Sequence, residues 1–247
     1  MKAISSVGGL LAALSLYYAT ATVLDPKCAP GGNFDLSKWS LQLPTGSTDH
    51  PDTIQSSDLK GCGGFKNNNF FTDPNDGTLV MKVIGGKPQC VSTPNSDHCR
   101  TELREINPSK WSPKSAVNRL SGDLVVKKIS NKSVVVGQIH VEDTPDSHKP
   151  VMELYYGTGG QLDVGVNTCL KCGQKRFPVG KVPVGQRFTY EIRYEKGKLS
   201  VSIDGGEFQN LSTFSLNNPN SYFKAGNYNQ GNAPTEVHFF GITVKHS

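Results

Sequence analysis

Arg187-Phe188-Thr189-Tyr190-Glu191-Ile192-Arg193-Tyr194, then Glu195-Lys196-Gly197-Lys198, then Leu199-Ser200-Val201-Ser202-Ile203, reads as two strands joined by a tight turn. Aromatic and β-branched residues fill both arms, and Asp204-Gly205-Gly206 gives the next turn signal. The same pattern recurs outward from this hairpin. Thr78-Leu79-Val80-Met81-Lys82-Val83, Leu120-Ser121-Gly122-Asp123-Leu124-Val125-Val126, Ser133-Val134-Val135-Val136-Gly137-Gln138-Ile139-His140, Met152-Glu153-Leu154-Tyr155-Tyr156 and Glu236-Val237-His238-Phe239-Phe240-Gly241-Ile242-Thr243-Val244 are strand candidates bounded by Gly, Pro, Asn and Asp. A short helical turn is expected near Pro108-Ser109-Lys110-Trp111, and no amphipathic helix stands out. Without internal repeats or a linker, this spacing predicts an all-β chain built as one antiparallel double sheet of the jelly-roll or lectin-like type.

The 247 residues could hold one large all-β domain or two smaller ones. Lys and Arg number 26 against 21 Asp and Glu, a net charge of +5 that suits an acidic substrate without requiring one. No Lys/Arg-rich run interleaved with aromatics is present, which argues against nucleic acid as a partner. Lys2, the apolar stretch around Leu10-Leu11-Ala12-Ala13-Leu14-Ser15-Leu16, and Ala19-Thr20-Ala21 read as an export signal over 1–21, leaving 22–247 as a single mature domain. A membrane anchor needs roughly 20 apolar residues, more than this core offers. The protein is therefore expected to be secreted, extracellular and soluble.

Six cysteines in an exported chain point to disulfides, and six allow 15 complete pairings. The preferred set joins Cys28 with Cys62, Cys90 with Cys99, and Cys169 with Cys172. The second would close a loop directly before Arg100. Cys169-Leu170-Lys171-Cys172 has the spacing of a redox or zinc motif but lacks a second pair or a nearby His cluster, so a structural disulfide is preferred. Asn131-Lys132-Ser133 and Asn210-Leu211-Ser212 are N-glycosylation sequons.

Three distant segments put chemically capable side chains on every second residue: Arg100-Thr101-Glu102-Leu103-Arg104-Glu105, Gln138-Ile139-His140, and Tyr222-Phe223-Lys224-Ala225-Gly226-Asn227-Tyr228-Asn229-Gln230. As strands they send Arg100, Glu102 and Arg104 to one face, Gln138 and His140 to one face, and Tyr222, Lys224, Tyr228 and Gln230 to one face. Leu103, Ile139, Phe223 and Ala225 suit the opposite, core-facing side, so one sheet would present a polar open face as a groove. Polar alternation is the ordinary solvated face of a strand. Two Arg, a Gln-His pair and two Tyr flanking a Lys are not the usual Thr, Ser, Lys and Glu of such a face.

These blocks resemble the Arg-x-Glu-Leu-Arg, Gln-Ile/Val-His and Tyr-Phe-Lys-Ala-Gly-x-Tyr-x-Gln motifs of the alginate lyases of polysaccharide lyase family seven, in the same order and across most of the mature chain. The resemblance implies a β-jelly roll, a concanavalin A-like two-sheet sandwich with a polar concave groove. It further implies endo-acting β-elimination of 4-linked mannuronate and guluronate polymers, with an anionic polysaccharide as partner and no cofactor or metal in the chemical step. A monomer with no membrane partner is expected. Ile139, where some members carry Val, is associated in the family with acceptance of guluronate.

The residues fit this chemistry on their own terms. Elimination across C4–C5 of a uronate removes a weakly acidic proton beside a carboxylate, which must first be neutralised. Arg100 and Gln138 are the candidate clamp for that carboxylate. His140, with an ordinary pKa of about 6.5, is a candidate base, and Tyr228 a candidate acid for the leaving oxygen. Where proton and leaving group lie on one side, the resemblance implies that Tyr228 serves as both, with His140 assisting. Arg104, Lys224, Gln230, Glu102, Tyr222 and Asn95 are the expected substrate contacts, Glu102 serving equally well to orient an Arg or in a structural salt bridge.

His50, His98, His148, His238 and His246 have no matching context and are expected at the surface or in strand packing. Trp39 and Trp111 are expected in the core rather than under sugars, and Asp143 and Asp146 in a solvated turn rather than a calcium loop. Three alternatives remain. A glucuronan or other polyuronate lyase would use the same carboxylate logic. A glycoside hydrolase needs two carboxyls facing one bond, whereas Glu102 and Glu105 fall on opposite strand faces. A noncatalytic uronate-binding module would bind without creating chain ends.

Overall fold

The 187–203 stretch forms the expected hairpin in the computed structural model, which describes residues 23–144 and 149–247. The predicted export signal lies outside the described residues, as do Asp146 and His148. In chain order the strands are β1 (Trp39–Ser47), β2 (His50–Ile54), β3 (Phe70–Thr72), β4 (Leu79–Val83), β5 (Arg100–Glu105), β6 (Asn118–Lys128), β7 (Ser133–Val141), β8 (Pro150–Gly157), β9 (Gln161–Asn167), β10 (Gln174–Lys181), β11 (Arg187–Glu195), β12 (Lys198–Ile203), β13 (Gln209–Leu211), β14 (Ser221–Asn229) and β15 (Thr235–His246). Two four-residue helices, α1 (Pro30–Asn33) and α2 (Ser56–Leu59), precede β3.

The strands form an eight-stranded sheet in the order β10-β9-β8-β7-β14-β5-β1-β2 and a seven-stranded sheet in the order β13-β12-β11-β6-β15-β4-β3. Every pairing is antiparallel. This is the two-sheet jelly-roll sandwich expected from the turn spacing. On β11 the period of two sends Phe188, Tyr190, Ile192 and Tyr194 into the core, and Arg187, Thr189, Glu191 and Arg193 outward. Leu103, Ile139, Phe223 and Ala225 are each fully buried, as their strand positions require. Trp39 and Trp111 are both core residues.

The structure corrects one expectation of local form. Around Trp111 there is no helical turn. The Trp111 N–H donates to the Ser221 carbonyl at 2.8 Å in an isolated antiparallel bridge, because the indole is drawn into the core, where Nε1 donates to Glu105 at 2.9 Å. Strands β1, β2, β3, β9, β10 and β13 are not among the strand candidates of the sequence. β10 is an edge strand carrying Pro178 and Gly180, which only an edge tolerates well. The disulfides Cys28–Cys62, Cys90–Cys99 and Cys169–Cys172 match the preferred pairing, with Cα separations of 4.2, 6.2 and 4.9 Å.

Candidate active site

The three polar segments, far apart in sequence, are adjacent strands. β14 runs between β7 and β5 in the eight-stranded sheet, so Lys224 lies opposite Arg104 on one side and Gln138 on the other. Tyr222 faces His140, and Tyr228 faces Arg100. A bulge between Ala225 and Tyr228 sets two residues of β14 against one of β7. Gly226 stands in it at φ 157°, where a Cβ would come within 2.6 Å of the Thr101 carbonyl oxygen. Only glycine allows β5 so close.

The outer face of these strands is the floor of a groove of about 710 Å³. Of the predicted site residues, Asn95, Arg100, Arg104, Gln138, His140, Tyr222, Lys224, Tyr228 and Gln230 all line it. Glu102 does not. It is 1% exposed and lies beneath the floor, where its carboxylate accepts from Lys224 Nζ at 2.5 Å, from Arg100 Nη1 at 3.4 Å and from the Gln138 amide. Burial pushes its carboxyl up, but Lys224 and Arg100 outweigh that and hold it below the ordinary carboxylate range. Glu102 is therefore an anionic keystone that fixes three groove donors from below, rather than a substrate contact. Burial pulls the Lys224 ammonium down, against the raising effect of Glu102.

His140 is nearly buried, and its Nδ1 lies 2.8 Å from the Val141 carbonyl and 3.0 Å from the Tyr222 hydroxyl oxygen. The carbonyl can only accept, so the network assigns the proton to Nδ1 and the lone pair to Nε2. The Tyr222 hydroxyl can then donate a hydrogen bond to Asp143 Oδ2, 3.4 Å away. Burial, reinforced by Lys224 and Arg100, lowers the His140 pKa to about 4, leaving a neutral imidazole across the neutral range. Tyr228 is shifted the other way: burial raises it, outweighing Arg100, so the phenol keeps its proton. The Arg100 guanidinium stacks 3.7 Å over the Tyr228 ring.

Other groups were not legible in advance. Ser96 Oγ lies 2.9 Å from the Tyr228 hydroxyl and accepts from Arg100 Nη2 at 3.1 Å, tying the phenol and the guanidinium to the loop closed by Cys90–Cys99. Nothing in a lone loop serine signals this. His98, expected at the surface or in strand packing, has its ring edge-on to Tyr228 at 6.2 Å between centroids, because the same loop folds over the groove. Asp143, expected in a solvated turn, accepts from Arg104 Nη2 at 3.0 Å. Glu153 and Gln174 also line the groove. Glu153 could have been flagged as the one acid within Met152-Glu153-Leu154-Tyr155-Tyr156. Of the other described histidines, His238 is buried against Thr78 and Glu236, His246 contacts Glu105 and Asn118, and His50 is exposed on β2.

The arrangement offers cations to neutralise a carboxylate, a neutral imidazole nitrogen to take a proton and a protonated phenol to give one. Known proteins resemble this chain along most of its length. A model of a family described as alginate lyase matches residues 34–246. An alginate lyase of Klebsiella pneumoniae is 24% identical over 286 positions, covering 90% of this chain and 91% of the relative. Among solved structures, the family 7 alginate lyase A1-II′ in complex with a GGG product is 25% identical with a TM-score of 0.76, the match covering 89% of this chain and 100% of that one. An alginate lyase from Pseudomonas aeruginosa is 27% identical with a TM-score of 0.71, covering 86% of this chain and 100% of the other.

Proposed function

The chain belongs to the alginate lyase family, and from that premise we propose that it is a secreted, endo-acting enzyme that cuts 4-linked mannuronate and guluronate polymers by β-elimination, leaving 4,5-unsaturated uronate ends. The observation that carries this reading is the strand pairing that gathers His140, Tyr228, Arg100 and Lys224 on one groove floor, an imidazole and a phenol beside two cations.

Arg100 and the Gln138 amide hold the carboxylate of the sugar whose C5 proton is removed, and offset the enolate-like charge that develops. Their aim is set beforehand by Glu102, so the site reorganises little as that charge grows. His140 Nε2 takes the C5 proton. Tyr228 gives its proton to the glycosidic oxygen as the C4–O4 bond breaks, and the electron pair from the C5–H bond becomes the new C4–C5 double bond. In mannuronate, where both groups leave from one side, Tyr228 first loses its phenolic proton to solvent, then takes the C5 proton and passes that same proton to the glycosidic oxygen as the C4–O4 bond breaks. Ionising it for that step draws on the Arg100 guanidinium stacked over its ring.

A relative solved with a GGMG substrate, A1-II′, supports a groove that admits guluronate, as does Ile139. Export is supported by the leader-like sequence and by the disulfides among the described residues. Asn131 and Asn210 are both exposed, as glycan acceptors must be. The test is ultraviolet absorbance of unsaturated uronate ends after incubation with alginate and, in parallel, polyglucuronate. Absorbance growing with alginate, together with an early fall in viscosity, is the expected result. Growth with polyglucuronate alone, or binding without product, would overturn the reading.

A further inference from the structure

Beyond Gln138 the eight-stranded sheet continues outward, and its groove face carries a polar cluster that the elimination chemistry leaves unused. Gln138 lies opposite Glu153 on β8, Glu153 lies opposite Gly165 on β9, and two residues along β9 Asn167 lies opposite Gln174 on β10. Gly165 is what lets these strands communicate. A Cβ there would come within 2.1 Å of Gln174 Oε1 and 3.1 Å of the Tyr155 ring, so its absence lets Gln174 reach across β9 to Glu153.

Three contacts close a ring: the Tyr155 hydroxyl at 2.5 Å from Glu153 Oε2, the same hydroxyl at 3.0 Å from Gln174 Oε1, and the Gln174 amide on Glu153 Oε2. Tyr155 has one proton and cannot serve both acceptors. With a proton on Glu153 each contact has a donor: Glu153 gives to Tyr155, Tyr155 to Gln174 Oε1, and Gln174 Nε2 to Glu153. Burial pushes the same way, raising the Glu153 carboxyl. A neutral acid in a groove meant for a polyanion adds no repulsion. Beside it, Asn167 lines the groove at 2% exposure, and its Nδ2 has no hydrogen-bond partner among the described residues. A buried donor of this kind is costly unless a ligand satisfies it.

We propose that Asn167 and the neutral Glu153 form a specificity-determining subsite, displaced from the reacting sugar toward β10, in which Asn167 Nδ2 donates to the carboxylate of a neighbouring uronate. The proposal rests on the alginate lyase reading. Around Glu153 stand Gln138 from β7, Tyr155 on its own strand, Asp163 and Asn167 from β9, and Gln174 and Arg176 from β10, with the charges of Arg100 and Glu102 and the Tyr228 phenol felt from β5 and β14. The Asn167 donor is what binds. The Glu153 proton is what keeps the pocket open to an anion.

The test is steady-state kinetics on alginate and on uronate oligomers of increasing length. Asn167→Ala should raise KM for the polymer about tenfold, the worth of one hydrogen bond to a charged group, with kcat little altered. It should also erase the gain in affinity at the oligomer length that first fills this subsite. Asn167→Asp, nearly isosteric, guards against misfolding of the alanine variant and should raise KM further by adding a negative charge. For Glu153, whose carboxyl is held above the ordinary carboxylate range, the rise of KM as pH climbs beyond that range should be steeper in wild type than in Glu153→Gln. Wild-type KM in both folded Asn167 variants, or a wild-type KM that rises no more steeply than that of Glu153→Gln, overturns the proposal. Wild type that makes no unsaturated product defeats the lyase reading instead, and the two failures are therefore distinct.

Discussion

Glu102→Gln removes the one negative charge beneath three groove donors while leaving their surroundings the same size. In the native protein the carboxylate is 1% exposed and contacts Lys224, Arg100 and Gln138. Taking the charge away leaves Lys224, itself buried, without its counterion. Breaking a buried pair from one side costs about 3–5 kcal/mol. At roughly 2–4 °C per kcal/mol for a domain of this size, Tm should fall by about 10 °C. Urea unfolding would read the same loss as a lower midpoint at unchanged slope. Arg100 and Gln138 lose their anchor together, so kcat/KM should fall by about 10–100-fold, the scale of a misplaced positioning group.

Because the folded pKa of Glu102 lies below its unfolded value, its stabilisation is present above the unfolded value and fades as pH falls through the folded one. Glu102→Gln should flatten that acid limb. Glu102→Gln with Lys224→Met, which removes both charges, should recover stability relative to Glu102→Gln alone but not activity. A Glu102→Gln protein within about 1 kcal/mol of wild type, with wild-type kcat/KM, would refute the keystone argument.

Three other outcomes follow from the same geometry. Since kcat/KM reports the free enzyme, and His140 titrates at about 4 rather than 6.5, the acid limb of kcat/KM on polyguluronate should fall near pH 4, with base available above it; a limb near the ordinary histidine value would contradict the assigned desolvation. Gly226→Ala drives a methyl to 2.6 Å from the Thr101 carbonyl, so β5 must shift; a loss of about 1–3 kcal/mol in urea melts together with reduced kcat is expected, and a neutral substitution would show the bulge to be slack. Replacing Cys90 and Cys99 by Ser frees the loop that carries Asn95 and Ser96, and should cost about 2–4 kcal/mol and raise KM, whereas opening Cys169–Cys172 should leave the Ser96 contacts to Tyr228 and Arg100 in place.

Much of this was written in the period of two. Alternation placed Arg100, Gln138, His140, Lys224 and Tyr228 on the strand faces that line the groove, and it placed Leu103, Ile139, Phe223 and Ala225 in the core. It could not say that β14 pairs with both β5 and β7, because pairing between distant strands is a property of the folded sheet. Glu102 shows the limit most clearly. Its alternation matches Arg100 and Arg104, yet three donors converge on it from above and bury it. Ser96 and His98 reach the site through a loop, where no periodicity operates. Glu153 and Gln174 meet because Gly165 is small, and Asn167 lies opposite Gln174 by register, relations between strands that a linear reading does not contain.

The central claim is that His140 and Tyr228 divide the proton transfers over a carboxylate clamp. It is tested most directly by the initial rate of unsaturated uronate formation on block-pure polyguluronate and polymannuronate, with wild type, His140→Ala and Tyr228→Phe compared at saturating substrate. The account predicts that Tyr228→Phe loses about 10²–10⁴-fold in kcat on both polymers, and that His140→Ala loses as much on polyguluronate. Tyr228→Phe turning over either polymer at the wild-type rate would contradict it.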